Sequence, residues 1–375
     1  MSGSLEVRDL GLVEYEDGLR AQDVLAAAVR AGEIPDQLLL LRHPPVVTLG
    51  RLGRRDALRV DAGELARRGI ELFHVDRGGE ATYHDQGQLV GYPILRLAGL
   101  AASPAGRRAG ATELVWLVEE LLRRTLAALG VEAGRLAGLP GLWHRGSKIA
   151  ALGMRIDRGV SRHGFALNLA TEPSAWQVVV PCGLAGRRVV SLAEVLGRSV
   201  AAEQVVALLV ETAGQLLGRR VQLAAPEQES VQALVVREEE PQLLVLRRLA
   251  ERGGFWQPVT GMIEPGEPPV AAARREVKEE TGLEAVEIAD LGYVHAFLVE
   301  PGLRTEPDPL LPSFLREHSF IAWVLAGQTV KLEPREHDAA EWVIASEAER
   351  RMRWRGNRRA ISLFFQKKAG MTTAP

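Results

Sequence analysis

A chain of 375 residues is too long for one ordinary hydrophobic core, so two domains are expected. Its 46% hydrophobic and 25% charged residues exclude a disordered polymer, and a formal net charge of −2 excludes a global pull toward nucleic acid or an anionic membrane. A single cysteine excludes an internal disulfide framework and fits a reducing compartment.

The opening Met1 to Gly18 lacks a basic stretch followed by an apolar one, and no run approaches the length of a membrane span, so a cytoplasmic protein is expected. Tyr15, Leu19, Val24, Leu25, Ala28 and Val29 recur at helical spacing, and Gly32 and Pro35 end that helix before the apolar run Leu38 to Leu41. His43 to Arg51 continues as an extended segment, because the residue before each proline is pushed from helical geometry. Gly78-Gly79 followed by Thr82-Tyr83-His84 predicts a tight turn whose backbone lines a pocket, with the strand Leu89 to Leu95 carrying it into a sheet. A small-residue loop, Ala101 to Ala111, precedes an amphipathic helix from Glu113 to Leu129. Strands near Lys148 and over Gly164 to Asn168 follow, and Ser191 to Leu217 reads as one or two helices.

Periodicity fails from Gln222 to Gln228, which sets domains at 1–222 and 230–375 joined by a linker, 223–229. Beyond it, Val231 to Val236 and Leu243 to Leu246 flank a charged turn, Arg237 to Gln242, as in a hairpin. A helix from Pro269 to Glu280 is followed by strands at Val286 to Ile288, Leu291 to Val299 and Phe320 to Leu325, with a proline-rich loop, Pro301 to Pro312, before the last. A closing helix from Glu347 to Gln366 completes an α+β unit.

Two stretches carry candidate chemistry. Lys148 is the only lysine before Lys278 in a region that otherwise uses arginine, and Cys182 is the only cysteine. A lysine can give up its proton where an arginine cannot, and an ammonium beside a thiol favours the nucleophilic thiolate. The pair reads as an activated nucleophile; the plainer alternative is a buried apolar cysteine and a solvated lysine. Pro181-Cys182-Gly183 follows Val178-Val179-Val180, so the thiol is expected where a strand or tight turn stops, and backbone N–H groups near Leu152-Gly153 offer an oxyanion site. In the second half Gly261, Glu267 and the run Arg275-Glu276-Val277-Lys278-Glu279-Glu280-Thr281-Gly282-Leu283 are separated by five and seven residues. Glu276, Glu279 and Glu280 then share one helix face, repel one another, and call for a hard divalent cation, Mg²⁺ or Mn²⁺. Arg275 can pair with Glu267 to brace the loop; the plainer alternative is a solvated acidic face.

At Arg77-Gly78-Gly79-Glu80-Ala81-Thr82-Tyr83-His84, Lys148 to Gly153, His163 to Asn168 and Pro181-Cys182-Gly183, residues 1 to about 220 resemble the lipoyl(octanoyl) transferase family. The resemblance implies the α/β fold shared with biotin and lipoate ligases, and transfer of octanoyl from acyl carrier protein to a lysine of lipoyl domains, those of 2-oxoacid dehydrogenases and of the glycine cleavage H protein. It makes Cys182 and Lys148 catalytic, with no cofactor, and Arg77 to His84, Ala151, Leu152, Gly153, Gly164, Phe165 and Ala166 the walls of the substrate pocket. The run from Gly261 to Leu283 is similar to the Nudix box. That implies an α/β/α sandwich, catalytic or structural roles for Gly261, Glu267, Arg275 and Glu276, and metal ligation by Glu276, Glu279 and Glu280. Phe255 to Gly261 and Trp354 to Ile361 resemble the Nudix branch that hydrolyses dATP or dihydroneopterin triphosphate, so a nucleotide or pterin triphosphate is the expected substrate, with no nucleic acid and no membrane as partner.

The chain departs from the transferase pattern at Asp85-Gln86-Gly87-Gln88, where the family has Gly-Pro-Gly-Gln, and at Glu172-Pro173, where it has Asp-Leu. His-Asp at this place looks more like the ATP-dependent lipoate and biotin ligases, which stand as the alternative. A Nudix half that only senses nucleotide, and a fusion that serves only as scaffold, are the other two.

Overall fold

Leu38, Leu39, Leu40 and Leu41 are each at most 2% exposed although successive side chains alternate across a strand, so both faces of that strand are covered. The strand lies in an eight-stranded sheet belonging to one of two units, Met1–Ala225, the other being Pro226–Pro375. The structure, a computed structural model, describes residues 4–53, 57–100, 110–180, 187–224, 228–237, 242–299 and 313–372. No helix among the described residues is long and apolar enough to cross a membrane.

The first unit runs β1 (Leu5–Leu12), α1 (Tyr15–Ala31), β2 (Asp36–Arg42), β3 (Val46–Leu49), α2 (Ala62–Arg67), β4 (Glu71–His74), β5 (Ala81–His84), β6 (Gln88–Ile94), α3 (Ala111–Ala128), β7 (Gly134–Leu136), β8 (Leu139–His144), β9 (Ser147–Asp157), β10 (Val160–Asn168), α4 (Leu192–Leu196), α5 (Ala202–Leu217) and β11 (Val221–Leu223). The sheet order β11-β1-β2-β6-β10-β9-β8-β7 is parallel at its β11-β1-β2 edge and antiparallel from β2 onward. Leu114, Val118 and Leu122 of α3 and Val205 and Leu209 of α5 share one core with Leu38 and Leu40. A small sheet, β4-β3-β5, has its own cluster around Val47, Leu49, Leu65 and Val179. Of the run Val178-Val179-Val180 before Cys182, Val178 closes a 3₁₀ helix, Pro173–Val178, opened by a proline whose fixed φ suits a first helical turn, and Val179 is extended and bridges antiparallel to Leu58.

The second unit runs β12 (Gln228–Arg237), β13 (Gln242–Arg248), β14 (Trp256–Gln257), β15 (Val259–Met262), α6 (Pro269–Thr281), β16 (Ala285–Leu298), β17 (Phe314–Val324), β18 (His337–Ile344), α7 (Ala345–Arg351) and α8 (Arg355–Thr372). Alternation along β12 separates two faces. Val231, Ala233 and Val235 meet Ala272, Ala273 and Val277 of α6, whereas Gln232 accepts a 3.0 Å hydrogen bond from the Asn357 side chain of α8. Helices on both sides of one sheet make an α/β/α sandwich.

Several expected boundaries move. Leu223 pairs with Val7, and Gln228 and Glu229 pair with Leu315 and Arg316, so the linker set at 223–229 overlaps strands at both ends. Backbone pairing with exposed side chains leaves no apolar alternation to read. The two strands expected over 286–299 are one, β16, with a register shift between Asp290 and Val294 at Gly292, whose φ is 69°. The closing helix breaks at Met352, which is extended and bridges to Trp256. The expected loops 101–111 and 301–312 lie outside the described residues but for Gly110, which caps α3, and Ala111, which begins it.

Candidate functional site

Lys148 stands at the start of β9, 6% exposed, with its ammonium 4.9 Å from the centre of the Trp143 ring. The Arg187 guanidinium lies 5.6 Å from the same ring. The Lys148 backbone N–H donates to the Arg188 carbonyl at 2.9 Å, and Val190 N–H donates to the Lys148 carbonyl at 2.9 Å. The chain leading away from Cys182 is therefore fastened along Lys148 from residue 188 onward. Upstream, Val180 N–H donates to the Ala57 carbonyl at 2.8 Å. Cys182 itself, with Pro181 and Gly183, lies outside the described residues.

Lys148 opens onto a cavity of about 510 Å³. Of the residues expected to wall it, Arg77, Gly78, Gly79, Glu80, Thr82, His84, Ala151, Leu152, Gly153, Gly164, Phe165 and Ala166 do line it, joined by Tyr15, Val90, Tyr92, Val115, Leu139, Met154 and His163. Ala81 and Tyr83 do not. They alternate with Thr82 and His84 along β5, so their side chains enter the cluster under the small sheet, where Tyr83 meets Trp176 edge-on at 5.9 Å.

Glycine shapes this wall by allowing close approach. A Cβ on Gly153 would lie 2.8 Å from the Gly78 carbonyl, and one on Gly164 would lie 2.0 Å from that of Gly91. Arg77 holds the turn from inside: its guanidinium donates to the carbonyls of Thr48 (2.8 Å), Gly78 (2.9 Å) and Glu80 (2.7 Å) and to the Thr48 hydroxyl. Those bonds make it a brace for the wall.

His84 begins a chain of side-chain bonds that returns to Lys148. Its Nδ1–H donates to Gln88 Oε1 at 2.8 Å, Gln88 Nε2 donates to Asn168 Oδ1 at 3.0 Å, and Asn168 Nδ2 donates to the Val190 carbonyl at 3.2 Å. Burial first, and then the neighbouring His43, lower the His84 pKa to about 3, so its ring is neutral. His43, wholly buried between the Val13 carbonyl and the Tyr92 hydroxyl at 2.7 Å each, is lowered to about 4 by burial. Tyr15 lies against His43 and Phe73, and burial raises its hydroxyl to about 12.

Asp85, the departure from the transferase pattern, is absorbed locally. Its carboxylate accepts from Gly87 N–H at 2.8 Å and from the Thr171 hydroxyl at 3.0 Å, and it is not among the cavity's walls. The pairing of His163 with Asp76, by contrast, has no counterpart among the sequence expectations. His163 Nε2–H donates to Asp76 Oδ1 at 2.6 Å, in a strand where His163 has a φ of 56°. Burial lowers the His163 pKa, whereas the bond from His163 and the charges of His163, Arg155 and Arg162 outweigh burial at Asp76 and lower it. The two residues are 87 apart in sequence, so no local pattern links them.

In the second unit Arg275 gathers three acids. It donates to Glu267 through Nε (3.0 Å) and Nη2 (2.9 Å), and through Nη1 to Glu276 (2.6 Å) and Glu279 (3.1 Å). These bonds, that to Glu267 foremost, hold its pKa well above the ordinary value. Glycine at 261 leaves room for the Glu276 carboxylate, since a Cβ there would lie 1.8 Å from its carboxyl carbon. The three box glutamates do not share one environment: Glu280 is 4% exposed, whereas the Glu279 side chain is 58% exposed beside Arg275. Glu280 keeps one carboxylate oxygen buried without a hydrogen-bond partner, and burial, then Glu276 and Glu336, push its pKa well up. Among the described residues, the potential metal donors that come within 4.8 Å of one another are those of Glu280, Glu336 and His337. The last two lie 56 and 57 positions beyond Glu280, in a charged segment that reads as surface.

Family models match both units: the lipoyl protein ligase A/B catalytic domain over residues 14–214 and the NUDIX domain over residues 226–364. An octanoyltransferase of Myxococcus xanthus is 38% identical over 366 residues, covering 96% of this chain and 98% of its own. One from Acidobacterium capsulatum is 43% identical over 225 residues, 58% of this chain and 92% of its own. Among solved structures, lipoate-protein ligase A bound with ATP is 19% identical with a TM-score of 0.46, covering 60% of this chain and 90% of its own. The E. coli dihydroneopterin triphosphate pyrophosphohydrolase is 27% identical with a TM-score of 0.33, covering 37% and 97%. Matched by the first family over more than half its length, and by a curated relative over nearly all of it, the chain belongs to the lipoyl protein ligase A/B catalytic domain family, as an acyltransferase that carries a NUDIX domain behind its catalytic one.

Proposed function

We propose that the N-terminal unit moves an octanoyl group from acyl carrier protein, in the cytoplasm, to a lysine of lipoyl domains, those of 2-oxoacid dehydrogenases and of the glycine cleavage H protein, through a thioester on Cys182. The observation that carries this reading is Lys148, buried at the cavity wall and hydrogen-bonded through its own backbone to the segment that follows Cys182. The Cys182 thiolate attacks the donor thioester carbonyl. The bond to the carrier sulfur breaks, and the departing thiolate takes a proton from Lys148. The acceptor amine then attacks the enzyme thioester, Cys182 leaves as thiolate, and the amine's proton returns to Lys148. Val90, Val115, Leu139, Leu152, Met154 and Phe165 supply apolar wall for the acyl chain, and the cavity's volume is that of a small-ligand site.

The C-terminal unit is proposed to hydrolyse a nucleotide or pterin triphosphate with Mg²⁺ or Mn²⁺. The unpartnered Glu280 oxygen, among repelling carboxylates, fits a divalent cation, and Glu276, Glu279 and Glu280 are its proposed box ligands. Such an ion would neutralise phosphate charge and lower the pKa of a bound water. Arg275 and Glu267 hold the loop before α6 in place.

Mass spectrometry tests the first reading. Octanoyl-acyl carrier protein without acceptor should leave one octanoyl group on the peptide that contains Cys182, and octanoate with ATP should leave none. An acyl group found only on the acceptor lysine, never on the enzyme, overturns it.

A further inference from the structure

We propose that His337, with Glu336, completes a divalent-cation site on Glu280, so that this unit holds its metal through an imidazole nitrogen from outside the Nudix box and favours Mn²⁺ over Mg²⁺. The inference rests on the reading of this unit as a metal-dependent enzyme and adds to it a ligand and a selectivity.

Three observations carry it. The donor atoms of Glu280, Glu336 and His337 all lie within 4.8 Å of one another, so small side-chain movements bring them onto one ion, whose ligands at 2.1 Å stand at most about 4.2 Å apart. Glu280 is 4% exposed with Oε2 unpartnered, and His337 is 2% exposed with Nδ1 unpartnered, so two buried polar groups in one place each need a partner. Charge points the same way. Glu276 and Glu336 both act on Glu280 as like charges and outweigh the opposing Arg248, and the cations that answer Glu336, Arg248 and Arg252, stand 3.8 Å off, beyond hydrogen-bond range.

A structural role for His337 does not account for this. Its Nε2 has only a 3.5 Å approach to Gln257 Nε2, and whereas His295, also buried with a bare Nδ1, has the one carboxylate of Glu317 nearby, His337 offers a nitrogen within 4.8 Å of two. Oxygen donors suit both Mg²⁺ and Mn²⁺, whereas one imidazole in the set favours Mn²⁺, the softer and less tightly hydrated of the two, which accepts nitrogen more readily.

The test is Mn²⁺ added alone to the metal-free full-length protein and followed by electron paramagnetic resonance. Bound Mn²⁺ should show hyperfine coupling to a directly bonded ¹⁴N that changes on ¹⁵N-histidine labelling and disappears in His337→Gln. That variant should lose about tenfold in Mn²⁺ affinity, while competing Mg²⁺ changes by less than about threefold. Mn²⁺ bound to the wild-type protein without nitrogen coupling overturns the role of His337 and leaves the box glutamates as the metal site. Absence of any Mn²⁺ binding overturns the metal-dependent reading of the unit as well. Both outcomes are read on the wild-type chain, so a variant that folds poorly does not blunt them.

Discussion

In the N-terminal cavity the polar side chains largely answer one another: Arg77 is met by Thr48 and Glu80, His84 by Gln88, Gln88 by Asn168, and Asp76 by His163. In the C-terminal cluster Glu280 Oε2 and His337 Nδ1 have no partner, and burial, then the charges of Glu276 and Glu336, outweigh Arg248 in opposing the ionised form of Glu280. Buried polar groups normally find partners within the protein, so the difference separates two ways of making a site. The first spends its hydrogen bonds on fixing a cavity's shape before anything enters, which is what positioning a flexible acyl chain requires. The second leaves bonds open that a cation can close.

The sharpest way to break that comparison is to remove the open acid. Glu280→Gln replaces a buried carboxyl with an amide that binds a divalent cation weakly, so metal-dependent triphosphate hydrolysis should vanish and acyl transfer should persist. Gly261→Ala probes the same site through shape. Its Cβ would occupy the place of the Glu276 carboxylate, the movable end of a long side chain, so the expected result is a folded protein with Glu276 displaced and hydrolysis lost. Assays of both activities on each variant check this; equal loss of both would mean that the two sites are not independent.

Next in size is Lys148→Arg. Arginine keeps the positive charge beside Trp143 but cannot give up its proton near neutral pH. If Lys148 shuttles the proton, transfer should fall by about 10²-fold or more, while alkylation of Cys182 by a thiol reagent slows far less. A near wild-type transfer rate would show that the lysine contributes charge alone.

What the sequence made legible, and what it did not, follows the range of the interactions. Gly78, Gly153 and Gly164 were readable because close backbone approach excludes side chains, Gly79 because its φ of 85° favours glycine, and Arg275 with its glutamates because helical spacing is local. Ala81 and Tyr83 were given the wrong face because a motif is contiguous and a strand's faces alternate. Strand ends at Leu223 and Gln228 were read as linker because their side chains are exposed. The pairing of His163 with Asp76 and the approach of Glu336 and His337 to Glu280 span 56 to 87 residues and depend on strand order, which periodicity does not encode. A histidine beside a quoted glycine motif, at His163-Gly164, was the one available signal for the first; for the second there was none.

The smallest expected effect sharpens the picture of a pre-shaped cavity, and it concerns His43. That ring is wholly buried, bonded at both nitrogens, and lowered by burial to about 4 from an ordinary value of 6.5. Unfolding lets it take up a proton at any pH below the ordinary value. The stability tied to its neutral form is therefore complete above pH 6.5 and is withdrawn as pH falls toward 4, with a slope of at most about 1.4 kcal/mol per pH unit for one proton. His43→Gln can keep a hydrogen bond to Val13 or Tyr92 and has nothing to titrate, so it should start less stable at pH 7 but lose less on acidification. Hydrogen exchange of β2 and β6 amides in the full chain, corrected for the intrinsic pH dependence, measures this. If wild type and His43→Gln show parallel declines between pH 7 and pH 5, then His43 is not the group whose neutrality the fold depends on, and the other buried histidine of that cluster, His84, becomes the one to replace.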